Sequence, residues 1–415
     1  MMVGNDNIPR HKTEEEVRNL SERALAQLSL NGKRVLVIVP DTTRHAELPL
    51  FFKILYNILG PKVGALDYLI ATGTHQPMSI EKILHHVGIT AEEYKTMYSK
   101  IKFFNHAHND PAQLATIGKI SASEMSQLSQ GLFAADVDIT INKHIFEYDQ
   151  LVLISPVVPH ETVGFSGGNK YFFPGIGGSE IIQTFHWIGA LITNPVVNGI
   201  KDTLVRRVIN RSALFVKVPT LCFAFVVDDH AVTSLYIGSP EESWEKAADR
   251  SEKIHIKYVD HPYKKILGIA PVIYEDIWVA GKVMYKHEPI LADGGEVIIY
   301  APHINEISYT HGKEIRKVGY HVRDYFVKQW DKFSGMPKLI LAHSTNVRGI
   351  GTFDNGIESP RVTVTLATSI PENECRSVNL NYMDYRSINI EEWKSRQNGD
   401  LMVVENAGQL LYRLK

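Results

Sequence analysis

The sequence predicts an α/β protein of two domains, each with a mainly parallel sheet flanked by helices. Three observations lead there. Short β-branched apolar runs recur along the chain, beginning with Arg34-Val-Leu-Val-Ile-Val-Pro40 and Leu66 to Thr72. Segments with helical apolar spacing separate them, and strand–helix–strand repetition of this kind favours parallel strands joined by crossover helices. The pattern then restarts after about residue 260, and 415 residues exceed what one ordinary core accommodates.

Each element has a local reason. Thr13 with Glu16 forms a capping box that opens a helix over about 14–28. The two apolar runs lack alternation and so read as strands buried on both faces, with a helix over about 47–59 between them. Ile101 to Asn105, Val137 to Ile141 and Leu151 to Ser155 read as further strands, and Leu221 to Val227 as another apolar run. Ile200 to Leu214 and Glu241 to His255 read as helices. In the second half, Lys265 to Ala270, Glu296 to Tyr300 and Leu339 to Ala342 read as strands, with helices within Asp276 to Pro289 and near 313–330. Asp260-His-Pro262 is turn-like and suits a hinge. The expected division is residues 1–262, rejoined by 400–415, and residues 263–399.

Composition narrows the function classes. Apolar residues make up 44% and charged residues 22%, ordinary for a globular protein, and the net charge of -2 gives no electrostatic case for nucleic acid or an anionic membrane. Cys222 and Cys375 cannot form a disulfide framework and have no metal-binding spacing, which points to a reducing, cytoplasmic setting. There is no secretory signal pattern and no run of about 18 apolar residues, so no membrane span is expected.

The densest chemical signal is Pro159-His160-Glu-Thr-Val-Gly164-Phe-Ser166-Gly167-Gly168-Asn-Lys170-Tyr-Phe-Phe-Pro174-Gly175-Ile-Gly177-Gly178. Glycines allow close backbone approach to a ligand, and Lys170 can pair with a phosphate or attack an electrophilic carbon. The segment is neither a P-loop nor a GxGxxG turn, so glycine density alone leaves a structural loop open. His186 follows on a segment of helical character, where a packed histidine and a metal ligand are both open readings. Two strand ends carry polar motifs, Asp41-Thr42-Thr43-Arg44 and Gly73-Thr74-His75. Carboxyl ends of parallel strands are where ligands bind. Asp41, Thr43 and Arg44 could hold phosphate and ribose there, and His75 could move a proton; a helix cap and a turn histidine are the plainer alternatives. His106-Ala-His108 places two histidines on one face of an extended segment, the pattern of a metal-dependent hydrolase. No partner carboxylates accompany it, and hydrogen bonding by His108 or Asp110 is the alternative. His85-His86 reads as a solvated helix face.

Taken in order, Asp41-Thr-Thr-Arg44, Gly73-Thr-His75, the 142–149 segment, Pro159-His160, Gly164 to Lys170, Pro174-Gly-Ile-Gly177 and His186 resemble the nickel-pincer lactate racemase family. Asp276-Ile-Trp278-Val279-Ala-Gly-Lys282 and Asp293-Gly-Gly295 extend the likeness, which spans about residues 30–300. The resemblance implies an isomerase, a racemase or epimerase of a 2-hydroxy acid, with its active site in a cleft between the domains. It implies a nickel pincer nucleotide, pyridinium-3,5-bisthiocarboxylic acid mononucleotide, that accepts and returns a hydride. Nickel would be held by two cofactor sulfurs, a ring carbon and His186. Asp41, Thr43, Arg44, Gly167, Gly168 and Lys170 would bind the nucleotide. His75 and His160 would exchange the hydroxyl proton, while Trp278 and Lys282 contact the substrate. Proteins of cofactor synthesis are expected partners, and the oligomeric state stays open.

The chain departs from the family pattern in three places. His45 stands where proline is common, and Ser155-Pro-Val-Val-Pro159 where glycine often follows the strand. Val279 replaces a glutamine, which predicts a substrate other than lactate, with a different or more apolar side chain. Two other readings stand beside this one: a hydrolase using His106 and His108, and a non-catalytic protein that binds the cofactor or a hydroxy acid.

Overall fold

A computed structural model describes residues 2–4, 11–43, 46–229 and 231–415. Arg44 and His45 lie outside the described residues. The chain divides into two compact units. The first comprises Met1–Val158, Phe165–Ile182 and Arg206–Ile254; the second comprises Pro159–Gly164, Gln183–Val205 and His255–Lys415. This is more interleaved than residues 1–262 rejoined by 400–415 around a separate 263–399. The C-terminal strands also pair within the second unit: Leu401–Val404 beside Tyr263–Ile269, and Leu411–Leu414 beside Ile256–Val259.

The first unit is built on a seven-stranded sheet. Its order is Val3–Gly4, Ala231–Gly238, Thr220–Asp228, Gln150–Pro156, Arg34–Pro40, Ala65–Ala71 and Phe103–Asn105. The five strands from Thr220–Asp228 to Phe103–Asn105 are parallel. Ala231–Gly238 and Val3–Gly4 add an antiparallel edge. Val35, Val37, Val39, Tyr68 and Ile70 bury one face against Phe51 and Phe52 of the helix Leu48–Leu59. Burying such side chains contributes roughly 1.5–3 kcal/mol each, which is why unalternating apolar runs become central strands. Thr13 and Glu16 form the expected reciprocal cap of the helix Glu14–Leu25. Val137–Asn142 is a strand, but it pairs antiparallel with Leu114–Ile120 in a separate ribbon. His86 departs from the solvated-face expectation, since it is half-buried and its Nε2 donates to the Pro40 carbonyl at 3.0 Å.

The second unit carries a five-stranded parallel sheet, in the order Asn381–Tyr382, Thr363–Thr368, Leu291–Ala301, Tyr263–Ile269 and Leu401–Val404. Leu267, Ile298, Ala367 and Ile388 form a core on it. The expectation of a strand at Leu339 to Ala342 is overturned: these residues lie in the helix Lys338–Arg348, buried along Leu339–Val347. A helix buried all round shows no polar stripe, so its first four apolar residues look like a central strand. The helix expected near 313–330 is instead three short ones, at Gly312–Val318, Arg323–Val327 and Trp330–Phe333. No helix among the described residues is long and apolar enough to cross a membrane.

Candidate functional site

In the first unit the parallel register brings the carboxyl ends of Arg34–Pro40, Ala65–Ala71 and Gln150–Pro156 to one edge of the sheet. Asp41 and Thr43 follow the first strand and His75 the second. Asp41 is buried, and its Oδ2 lies 2.6 Å from His75 Nδ1. Its Oδ1 accepts from the Thr43 hydroxyl at 2.6 Å and the Thr43 amide at 3.1 Å. Burial pushes the Asp41 carboxyl up, but His75 and the Thr43 donors outweigh it and hold the group down at about 2. Both carboxylate oxygens are thus committed to orienting His75 and closing the turn, a role the strand-end motif did not disclose. The Gly73 amide donates to the Gly175 carbonyl at 3.0 Å, tying the His75 turn to the Pro174–Gly177 segment.

The glycine-rich loop lies in the same unit and is gripped from behind. Arg206 donates from Nη1 to the Gly167 carbonyl at 3.1 Å and from Nη2 to the Phe165 carbonyl. Trp244 Nε1 donates to the intervening Ser166 carbonyl at 2.7 Å, and the Arg206 guanidinium stacks 4.1 Å from the Trp244 ring centre. Burial draws the Arg206 pKa down to about 9. The Gly168 amide donates to Ser155 Oγ at 2.8 Å. Asn169 donates to Glu241 at 2.6 Å and to Asn210 at 3.2 Å. Gly167 and Gly168 have φ of 85° and 60°, and a Cβ on Gly168 would sit 2.9 Å from Trp244 Cβ. Glycine is required at both positions. The result is a fixed turn, Gly168–Tyr171, that presents Lys170. Arg206 and Trp244 were not singled out from the sequence. They lie about 40 and 80 residues from the loop, on helices whose period alone signals only burial.

The other expected residues fall in the second unit. His160 is buried; its Nδ1 accepts from the Thr162 amide at 3.1 Å and lies 3.3 Å from Glu161 Oε2. Lys286, also buried, donates to the neighbouring Pro159 carbonyl at 2.5 Å. His186 is half-buried on the helix Ser179–Ile192. Trp278 stacks on His343 with ring centres 3.8 Å apart and meets His311 at 4.3 Å. Burial pushes His343 down to about 3, with the charges of His311 and His186 adding to the effect. Asp276 caps the Trp278 helix by accepting from Val279, and Lys282 Nζ lies 5.0 Å from the Tyr274 ring centre. His311 and His343 are additions of the structure. They sit in segments without a motif, and only their spatial return to Trp278 and His186 marks them.

His106 does not behave as a metal ligand. It is fully buried, with Nε2 donating to the Gly177 carbonyl at 2.9 Å and Nδ1 facing the Asn142 amide at 3.3 Å. Among the described residues no group of three or more His, Cys, Asp or Glu could hold a metal ion.

Comparisons with known proteins bear on these residues. Residues 5–197 match the family model described as lactate racemase N-terminal domain. The N-terminal part of the chain is therefore similar to the lactate racemase N-terminal domain. The chain is 24% identical over 304 residues to the lactate racemase of Thermoanaerobacterium thermosaccharolyticum, covering 71% of this chain and 65% of that protein. It is 22% identical over 287 residues to the lactate racemase of Lactiplantibacillus plantarum, covering 67% and 62%. The chain thus matches less than two thirds of either relative's length. Among solved structures, a protein from Thermotoga maritima is similar with a TM-score of 0.89 at 35% identity, over 97% of this chain and 98% of that one. The lactate racemase apoprotein of T. thermosaccharolyticum shares the fold, with a TM-score of 0.70 at 19% identity over 98% and 95%.

Proposed function

We propose that this protein is a racemase or epimerase of a 2-hydroxy acid that works with a nickel pincer nucleotide. The observation that carries the reading is the Asp41–His75 pair beside a clamped Ser166-Gly167-Gly168-Asn169-Lys170 loop, at one sheet edge of a chain whose N-terminal part is similar to the lactate racemase N-terminal domain.

The residues present fit the cofactor. A chain that offers His186 but no three-ligand cluster among its described residues suits a metal that arrives with most of its donors already attached. His186 would supply the protein ligand. Gly167, Gly168 and Lys170 would hold the nucleotide, with Thr43 and Arg44 at its phosphate and ribose end. When bound, the group supplies a hydride acceptor for the substrate's Cα.

The chain's own residues do the rest. His75, with Nδ1 fixed on Asp41, takes the hydroxyl proton at Nε2. His160 exchanges a proton with the substrate oxygen in the opposite stereochemical sense. Lys282 pairs with the carboxylate, and Trp278, backed by His343, forms a wall against the substrate side chain. Val279 offers that side chain no hydrogen bond. The alternative hydrolase reading draws no support from His106, whose ring nitrogens are engaged within the first unit.

The test is chiral analysis of single-isomer 2-hydroxy acids incubated with cofactor-loaded protein. Isomerisation of one substrate class, abolished in His186→Ala, is the expected result. Tight cofactor binding with no turnover across aliphatic, aromatic, dicarboxylic and sugar acids would overturn it in favour of a binding protein.

A further inference from the structure

The two proton-handling histidines are not equivalent at rest. His75 Nδ1 faces a carboxylate at 2.6 Å, and a carboxylate only accepts, so in the neutral ring the proton sits on Nδ1 and Nε2 carries a lone pair. His75 is therefore ready to take a proton. His160 is arranged the other way. Its Nδ1 accepts the Thr162 amide proton at 3.1 Å, so the neutral ring carries its proton on Nε2. In that form His160 can neither accept at Nε2 nor donate without becoming an anion. Glu161 Oε2 waits 3.3 Å from the same Nδ1, too long for the charge-assisted bond that a protonated ring would form there.

We propose that Glu161 is the positioning residue for His160, as Asp41 is for His75, and that His160 becomes competent only when its Nδ1 leaves the Thr162 amide and bonds Glu161. The inference rests on the racemase reading above. Protons balance once His160 has taken a proton from solvent at Nδ1, becoming an imidazolium as that nitrogen turns from the Thr162 amide to Glu161. The substrate hydroxyl gives its proton to His75 Nε2, making an imidazolium held by Asp41. Imidazolium His160, its Nδ1–H on Glu161, gives its Nε2 proton to the oxygen of the 2-oxo acid as Cα regains its hydride. His160 is left neutral with Nδ1–H on Glu161, the form that accepts a proton at Nε2. Starting from the opposite isomer, the two histidines exchange roles: His160 first gains a solvent proton at Nδ1 on Glu161 and releases its Nε2 proton to solvent, and His75 enters as the imidazolium.

Nitrogen-15 NMR of histidine-labelled, cofactor-free full chain tests the resting state without requiring turnover. Assignment comes from loss of the corresponding signals in His75→Gln and His160→Gln. The expected pattern is Nδ1–H for His75 and Nε2–H for His160. In Asp41→Asn, His75 should move toward Nε2–H, because the new amide can donate to Nδ1. On acidification, the wild type should show a strongly hydrogen-bonded His160 Nδ1–H that is missing in Glu161→Gln. The same tautomer for both histidines, or an unchanged His160 Nδ1–H in Glu161→Gln, overturns the proposal.

Rapid quenching of loaded enzyme with each pure isomer is the second arm, reading 2-oxo acid formation. Asp41→Asn should slow one isomer by about 10³–10⁴-fold, the scale of a wrong-tautomer histidine. Glu161→Gln should slow the other by about 10–100-fold, the scale of a lost supporting partner. Equal slowing of both isomers by both variants would overturn the pairing. Absence of 2-oxo acid from either isomer in the wild type would refute the racemase reading, while the NMR result still decides whether Glu161 holds His160.

Discussion

The glycine-rich loop of the first unit and the Trp278 neighbourhood of the second are held in different ways. Three successive loop carbonyls, those of Phe165, Ser166 and Gly167, each receive a hydrogen bond from Arg206 or Trp244. Trp278 is held mainly by ring contacts with His311 and His343 and by the Asp276 cap at the start of its helix. Hydrogen bonds are directional and fix one geometry, whereas stacked rings tolerate sliding at small cost. The contrast suits the proposed roles, a loop that would meet one unchanging nucleotide and a wall that would be re-cut for different substrates.

The comparison can be broken at its stiff end first. Arg206→Met leaves two buried carbonyls without their donors and should cost about 3 kcal/mol of stability, read as a shift in the denaturation midpoint. Gly168→Ala forces a side chain into a left-handed conformation against Trp244 and should cost about 2 kcal/mol, with nickel retention falling in parallel. Trp244→Phe keeps the ring under Arg206 and removes only the Ser166 bond, at about 1 kcal/mol. At the soft end, Trp278→Leu should lower kcat/KM by about tenfold, the scale of a lost aromatic contact, with nickel content unchanged. Equal loss of nickel in Trp278→Leu and Gly168→Ala would erase the distinction.

Two buried histidines sharpen it further. Burial pushes both His106, in the first unit, and His287, in the second, down to about 4. Their folded-state values lie below the unfolded 6.5, so between about pH 6.5 and 4 the unfolded chain binds more protons. Stability should therefore fall as pH drops through that window, and substituting either histidine with phenylalanine should flatten the fall. The two should differ in cost at neutral pH. His106 uses both ring nitrogens, while His287 donates from Nδ1 to Val283 and buries an unsatisfied Nε2. His106→Phe should be the more destabilising in urea titrations.

Much of the first sheet was legible because its central strands are unbroken apolar runs, and the Asp41, His75 and Gly164–Gly178 motifs stand at or near their ends. The helix Lys338–Arg348 was misread because complete burial removes the polar stripe that marks a helix. Asp41 was legible as a polar residue at a strand end, while its bond to His75, 34 positions away, required the parallel register. Arg206 and Trp244 were illegible for a related reason: a side chain that serves a distant backbone carbonyl leaves no local pattern. His311 and His343 carry no motif, and only folding brings them to Trp278.

The interleaving of the two units has a consequence for synthesis. The chain passes from one unit to the other after residues 158, 164, 182, 205 and 254. As the polypeptide leaves the ribosome, the first unit is complete in sequence once residue 254 has emerged. Residues 159–164 and 183–205 must then wait for partners that are translated later, in residues 255–415. Domains ordinarily fold as units in order of synthesis, but here the segments bearing His160 and His186 are the first made of their unit and wait for the rest of it. A ribosome halted before the C-terminal strands would display both histidines on unsettled chain.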